Sequence, residues 1–489
     1  MKKVFSWIVF ACVFLCAFSL TACKKEQKPM GRYEINAEYR EDACAVSGTA
    51  KVTFSNGYEK ELEEIKFNLY PNAYRKNALY PAVGEGERGS AYYNGESYGE
   101  ITITSVNGGK GWAVEGADEN ILSVTLIKPL SKGEEITLDI SFVTELANVE
   151  HRLGVGRDAV HLAYFYPRLC AYQDGVFLED ESSAFGSPFR SDVSNYTISL
   201  TLPSEYVVLG GGRYEMTKVL ESKTKYLFEL ENARDFACVF SKKLKINNFP
   251  LRLASGKIIE LAYASIDAEM NETKTIELLQ NAIKYYSQTF GGYPYSTLSV
   301  ISTNLSLPSS THTAMVILSS SLSENDAVGV LSREIARQWW GKCVGSDDVS
   351  EAWQSEALCA YSAITFFENH EGYGVGRNEL VKKCLEEYRS YFSVYGSVFG
   401  GVDTRMSRGL KEYSCAHEYK CLARDKGVVM FDTLRKSVGD KNFFKALSYY
   451  YQKNRHVNTK PLAMYEAFEK NGMDVDGFFN SFLTGKAVI

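Results

Sequence analysis

The residues that could do chemistry gather in one stretch, Leu331 to Glu356, which reads LSREIARQWWGKCVGSDDVSEAWQSE. Arg333 and Arg337 stand four apart, Glu334 lies between them, and Glu356 follows Arg337 by nineteen residues. On a helix the two arginines fall one turn apart on the same face. A guanidinium is a permanent cation with donors and no free lone pair, so neither can ligate a metal ion. Each can instead hold a carboxylate through two parallel hydrogen bonds. Two buried carboxylates without a cation would be costly, so at least one arginine is expected to pair with Glu334 or Glu356. In the competing arrangement both arginines reach into an open, solvated groove.

The elements that must position this stretch divide the chain in two. From Tyr33 to about Pro250, alternating segments such as ACAVSGTAKVTFSN, EITLDISFVTE and YTISLTLP recur between Gly, Asn and Asp turns. Period-two alternation over many short strands predicts an antiparallel sandwich or a large twisted sheet. Near Ile266 the pattern becomes helical. NETKTIELLQNAIKYYSQTF ends at Gly291-Gly292, and YPYSTLSVISTN follows as an edge-strand candidate. Helices are then expected over 323–340, 355–367, 378–391, 425–438, 441–454, 462–471 and 475–483. The fold class is multidomain α+β: a β-rich saddle or sandwich domain over 33–250, then a mostly α domain over 251–489.

Composition narrows the class. Apolar content of 45% and charged content of 23% suit a globular protein, and a net charge of −6 gives no reason to expect a nucleic-acid partner. The 32 Tyr and 27 Phe residues are read first as sheet and core packing. At the N-terminus, Lys2 and Lys3 precede an apolar run that ends Leu20-Thr21-Ala22-Cys23, followed by KKEQK. This matches a bacterial lipoprotein signal over residues 1–22, with Cys23 the lipidated first residue of the mature chain and 23–32 a tether. An ordinary cleaved signal or a single anchor is the alternative. The expected location is extracytoplasmic, held to the bacterial cell membrane by acyl chains such as palmitate. Beyond the signal and Cys23, eight cysteines are scattered without metal-ligand spacing; Cys359 reads as a buried thiol, and Cys415 and Cys421 are close enough in sequence for a local disulfide.

This order of segments resembles the aminopeptidase N family of gluzincin metallopeptidases, peptidase family M1. FGGYPYSTLSVI is similar to the strand that opens the family's catalytic domain, and THTAMVILSS to its exopeptidase strand. REIARQWWGKCVG followed by WQSEALCAY is similar to the zinc-helix region. RDKGVVMFDTLRKSVGDKNFFKALSYYYQK is similar to the helix that begins with the catalytic Tyr, and DVDGFFNSFL to the end of that domain. The resemblance implies a β saddle domain followed by a thermolysin-like domain, with zinc as the family cofactor. The chain stops at Ile489, so the family's C-terminal helical-repeat domain is not expected.

The resemblance also assigns positions. Two zinc-binding His match Arg333 and Arg337, the general base matches Glu334, and the third zinc ligand matches Glu356. The Glu that binds the substrate ammonium falls at Thr311, and no Asp or Glu occurs between Glu277 and Glu324. The catalytic Tyr matches Arg424; Tyr419, five residues earlier, is not expected to share its helical direction. The six His offer no i, i+4 pair, and His312 alone is expected on the active-site strand. No working catalytic residue and no bound metal are expected, which makes a pseudoenzyme: a membrane-anchored homologue that binds a peptide or an envelope protein partner in its interdomain cleft. Two other readings stand beside it. One is an active zinc aminopeptidase with an unrecognised ligand set, and the other is a structural envelope lipoprotein with a vestigial cleft.

Overall fold

A computed structural model describes residues 29–187, 190–266 and 271–489. The signal sequence and Cys23 lie outside the described residues. The first domain is built on a seven-stranded sheet in which Gly31–Arg40 pairs antiparallel with Ala45–Ser55 and parallel with Ser194–Pro203. Tyr33, Ile35, Ala37 and Tyr39 are buried while their neighbours are not, so the period-two pattern of the sequence becomes one core-facing side of the sheet. A four-stranded sheet containing Leu62–Asn68 and Ile121–Leu130 contributes to the same core. A third sheet, containing Val160–Ala163 and Ala237–Ser241, carries the chain towards the second domain.

The second domain opens with a five-stranded sheet in the order Ile246–Arg252, Ile258–Ser265, Thr297–Thr303, Met315–Ser319, Ser309–His312. Ile246–Arg252 already belongs to this sheet, so the change of sheet falls before Ile246 and not at residue 250. The expected edge strand is in fact central. Thr297–Thr303 is parallel to both of its neighbours and buried at every position. Its run of small and branched residues has no solvated face, as a strand covered on both sides requires. The edges are Ile246–Arg252 and Ser309–His312, the latter being the edge strand beside the helix Glu324–Ala336.

Eight helices longer than one turn or two follow: α1 Glu272–Thr289, α2 Glu324–Ala336, α3 Trp353–Glu368, α4 Arg377–Phe399, α5 Lys426–Val438, α6 Asp440–Asn454, α7 Leu462–Glu469 and α8 Asp476–Leu483. Asn271 and Ser323 cap α1 and α2 by accepting from the amides of Lys274 and Asp326. Helix α4 runs on to Phe399, past the expected end at 391. A one-turn helix, Ala416–Tyr419, and a π-helical segment, Lys420–Asp425, lead into α5. Trp339 and Trp340 fix the end of α2: their ring N–H groups donate to the Gly291 carbonyl at 2.7 Å and to Ser362 Oγ at 3.0 Å. Gly427 lets α5 pass close to α3, since a Cβ there would meet the Ala357 Cβ at 2.4 Å. One hydrophobic core runs through both domains.

All eight described cysteines are free thiols, and Cys359 is buried as expected. The local disulfide is not formed: Cys415 Sγ lies 3.4 Å from the Tyr395 hydroxyl, while Cys421 Sγ faces His417 Nε2 at 3.6 Å.

Candidate functional site

Helix α2 ends at the site, and Arg337 follows its last turn. Arg337 is buried and holds two carboxylates at once. Its Nε donates to Glu334 Oε2 at 2.8 Å and its Nη2 to Glu356 Oε1 at 2.8 Å, joining α2 to the first turn of α3. Arg333 takes the other Glu334 oxygen, through Nε at 2.9 Å and Nη2 at 2.8 Å to Oε1. The Thr311 hydroxyl, on the edge strand, donates to Glu334 Oε2 at 2.7 Å. Both arginines are therefore paired, and the open-groove alternative does not hold.

The electrostatics follow from this geometry. Burial alone would raise the Glu334 carboxyl pKa, but Arg337, Arg333 and the Thr311 hydroxyl outweigh it and hold the group ionised, well below the usual carboxylate range. Burial likewise opposes the charge on Arg337, and Glu356 and Glu334 more than restore it. Two guanidinium charges against two carboxylates leave this group of four neutral.

Arg424 lies on the π-helical segment, and its Nε donates to Asp425 Oδ1 at 3.0 Å. Tyr419 ends the one-turn helix just before that segment. The Tyr419 phenol is buried, which raises its pKa, and the Glu356 charge adds to that rise; Arg424 in turn is held charged in part by Glu356. The extra residue of a π turn leaves no signal in hydrophobic periodicity.

The first-domain residue that sequence reading missed is Asp235. Its Oδ1 accepts from the Thr313 amide at 2.7 Å and the Thr313 hydroxyl at 2.8 Å. Its Oδ2 accepts from Tyr164 at 3.0 Å and Lys342 Nζ at 3.0 Å, and faces His312 Nδ1 at 3.1 Å. His312 Nε2 meets Ser310 Oγ at 2.9 Å, so both ring nitrogens are engaged.

The donor set does not suit zinc. Arg333 and Arg337 present guanidinium groups without a free lone pair, Glu356 receives one of them, and His312 is turned to Asp235. Among the described residues no three His, Cys, Asp or Glu side chains lie together in a way that could hold a metal ion.

Open space flanks the cluster on two sides. A groove of about 1160 Å³ between α1, α2, α3 and α4 is lined by both Arg333 and Arg424. A smaller cavity of about 280 Å³ between the two domains is lined by Arg337, Lys342 and Asp235. The edge strand Ser309–His312 lines neither.

Comparison with known proteins places this architecture. Residues 275–482, most of the second domain, match the peptidase family M1 domain. The M1 zinc metallopeptidase from Deinococcus radiodurans superposes with a TM-score of 0.65 at 15% identity, covering 95% of each chain. A mutant of that enzyme bound to a Tyr-Ser-Ala substrate gives 0.64 at 16% identity, covering 94% of this chain and 95% of its own. Legionella pneumophila aminopeptidase A in complex with aspartic acid gives 0.64 at 14% identity, and the match covers 94% of this chain but 50% of that one. No curated protein sequence matches. The chain has the aminopeptidase N-like fold of the two-domain M1 metallopeptidases, a β-rich domain followed by a helical one.

Proposed function

We propose that this protein is a non-catalytic M1 homologue, anchored outside the cytoplasm through lipid on Cys23, that binds peptides in the groove beside its former metal site. The observation that carries this reading is Arg337 seated between Glu334 and Glu356 at 2.8 Å from each. In a zinc peptidase of this family the metal acidifies a bound water and polarises the substrate carbonyl. Arg337 supplies charge to the same two carboxylates but has no coordination site to offer a water. Glu334, held ionised and shared between two arginines and Thr311, is poorly placed to take a proton as a general base. Arg424 replaces a phenol with a permanent cation. The open groove favours binding over a purely structural role.

The test is the metal content of the purified chain from Lys24 onward, beside an aminoacyl-anilide hydrolysis assay with added zinc. Below about one-tenth equivalent of zinc, with no chelator-sensitive turnover, is expected. Near-stoichiometric zinc with chelator-sensitive hydrolysis would return the protein to the working aminopeptidases.

A further inference from the structure

We propose that the rim of the interdomain cavity is a membrane-docking surface: the lipid tether holds the mouth of the cavity against the bilayer, where Val176 and Leu462 meet the lipid. This rests on the lipid-anchoring part of the reading above. Reach limits the choice of face. Seven residues carry the chain from Cys23 to Met30, and seven residues span at most about 25 Å. Met30 is the point where the large sheet takes hold of the chain. Its amide donates to the Val193 carbonyl at 3.0 Å, and its carbonyl accepts from the Ser55 amide at 2.9 Å. From there the strand Gly31–Arg40 runs ten residues, about 30 Å, to the far end of the sheet. The tether is shorter than the sheet is long, so the end that carries Met30 stays beside the bilayer.

Met30 also stands at the mouth of the cavity of about 280 Å³ between the domains, and its side chain is part of the lining. The exposed lining residues are Gly57, Asn458 and Lys460, whereas Asp235, Arg337 and Lys342 at the back are buried. Gly57 lies against Met30: a Cβ there would meet the Met30 Sδ at 3.0 Å. Asn458 Nδ2 donates to Asp192 Oδ1 at 2.7 Å, and Asp192 Oδ2 accepts from the Tyr58 hydroxyl at 3.0 Å. The cavity thus opens beside the residue from which the tether leaves.

Three segments are fastened together around that mouth. Lys60 Nζ, in the loop after Ala45–Ser55, donates to the Gly175 carbonyl at 3.1 Å in the hairpin 172–177. Lys460 Nζ, just before α7, pairs with Asp174 Oδ2 of the same hairpin at 3.0 Å. The hairpin and the first residue of α7 each present one apolar side chain to the outside, Val176 at 57% and Leu462 at 59% exposure. Lone apolar side chains on a surface are ordinary, but these two flank a mouth that the tether keeps within about 25 Å of lipid. The rim mixes Lys60 and Lys460 with Glu59 and Asp174, so its own charge does not choose the surface. Reach and the two apolar side chains do, helped by Lys24, Lys25 and Lys28 of the tether against Glu26, which favour an anionic bilayer. A ligand of this cavity then enters from the bilayer side.

Hydrogen exchange read by mass spectrometry tests this on the acylated chain in liposomes of phosphatidylethanolamine and phosphatidylglycerol, beside the soluble chain from Lys24 onward. Amides of 57–62 and 172–177 are expected to exchange at least about threefold more slowly on the liposomes. The turn 220–223, at the far end of the sheet, should not change. The variant Val176→Asp with Leu462→Asp should lose most of the slowing. Equal exchange at the rim with and without liposomes, slowing at 220–223 as large as at the rim, or full slowing in the variant would overturn the proposal and leave the anchor standing. A mass that shows no acyl group on Cys23 of the membrane-extracted chain would overturn both.

Discussion

Two buried ion clusters meet at one short strand and face opposite ways. Thr311 reaches Glu334 in the α2 and α3 cluster, while the next residues, His312 and Thr313, reach Asp235. Strand alternation sends the Thr311 and His312 side chains to opposite faces, and Thr313, in the turn after the strand, joins His312 at Asp235. The Asp235 cluster gathers Tyr164 of the first domain and His312, Thr313 and Lys342 of the second on one carboxylate. It is a joint between domains. The Arg337 cluster lies wholly in the second domain, has two carboxylates for its cations, and has open space on both sides. Similar chemistry therefore serves two ends: one cluster closes an interface, and the other ties α2 to α3 while leaving a groove.

The comparison breaks most readily at the joint. Asp235→Ala would leave Lys342 buried without its carboxylate, and a loss of about 4 kcal/mol in urea unfolding is expected. A loss below about 1 kcal/mol would mean that the joint is dispensable. Arg333→His together with Arg337→His would restore three ligands with Glu356. This variant should bind zinc and gain about 2.7 kcal/mol at a hundredfold excess over its Kd, read as a zinc-dependent rise in Tm that the natural chain lacks.

Arg337→Met should cost about 2 kcal/mol at neutral pH, less than the loss at the joint, because Glu334 keeps Arg333 and Thr311. Its pH dependence sharpens the point. The folded pKa of Glu334 is depressed, so the contribution is present above the unfolded value of about 4.3 and is lost as pH falls below it. The natural chain should lose this stabilisation on acidification, and the variant should lose less; parallel acid-unfolding curves would deny Glu334 that part. The smallest effect is expected from Thr311→Val, about 1.5 kcal/mol for one hydrogen bond to a charged group, with no change in zinc content.

Much of this was legible in the residues. The change from period two to helical spacing marked the two domains, and the spacing of Arg333, Glu334 and Arg337 put two cations and a carboxylate at the end of one helix. The strand Thr297–Thr303 was misread because a short apolar run does not state how many neighbours it has. Asp235 carried no signal, since its partners His312 and Lys342 lie 77 and 107 residues away.

By itself, then, the sequence determined the order of elements and the spacing of Arg333, Glu334, Arg337 and Glu356, because residue type and local periodicity are properties of the chain alone. Only the tertiary structure decided which carboxylate each arginine takes, that a π turn leads into α5, and that His312 belongs to Asp235. Those outcomes depend on distances between segments remote in sequence, which are fixed when α2, α3 and the edge strand pack together.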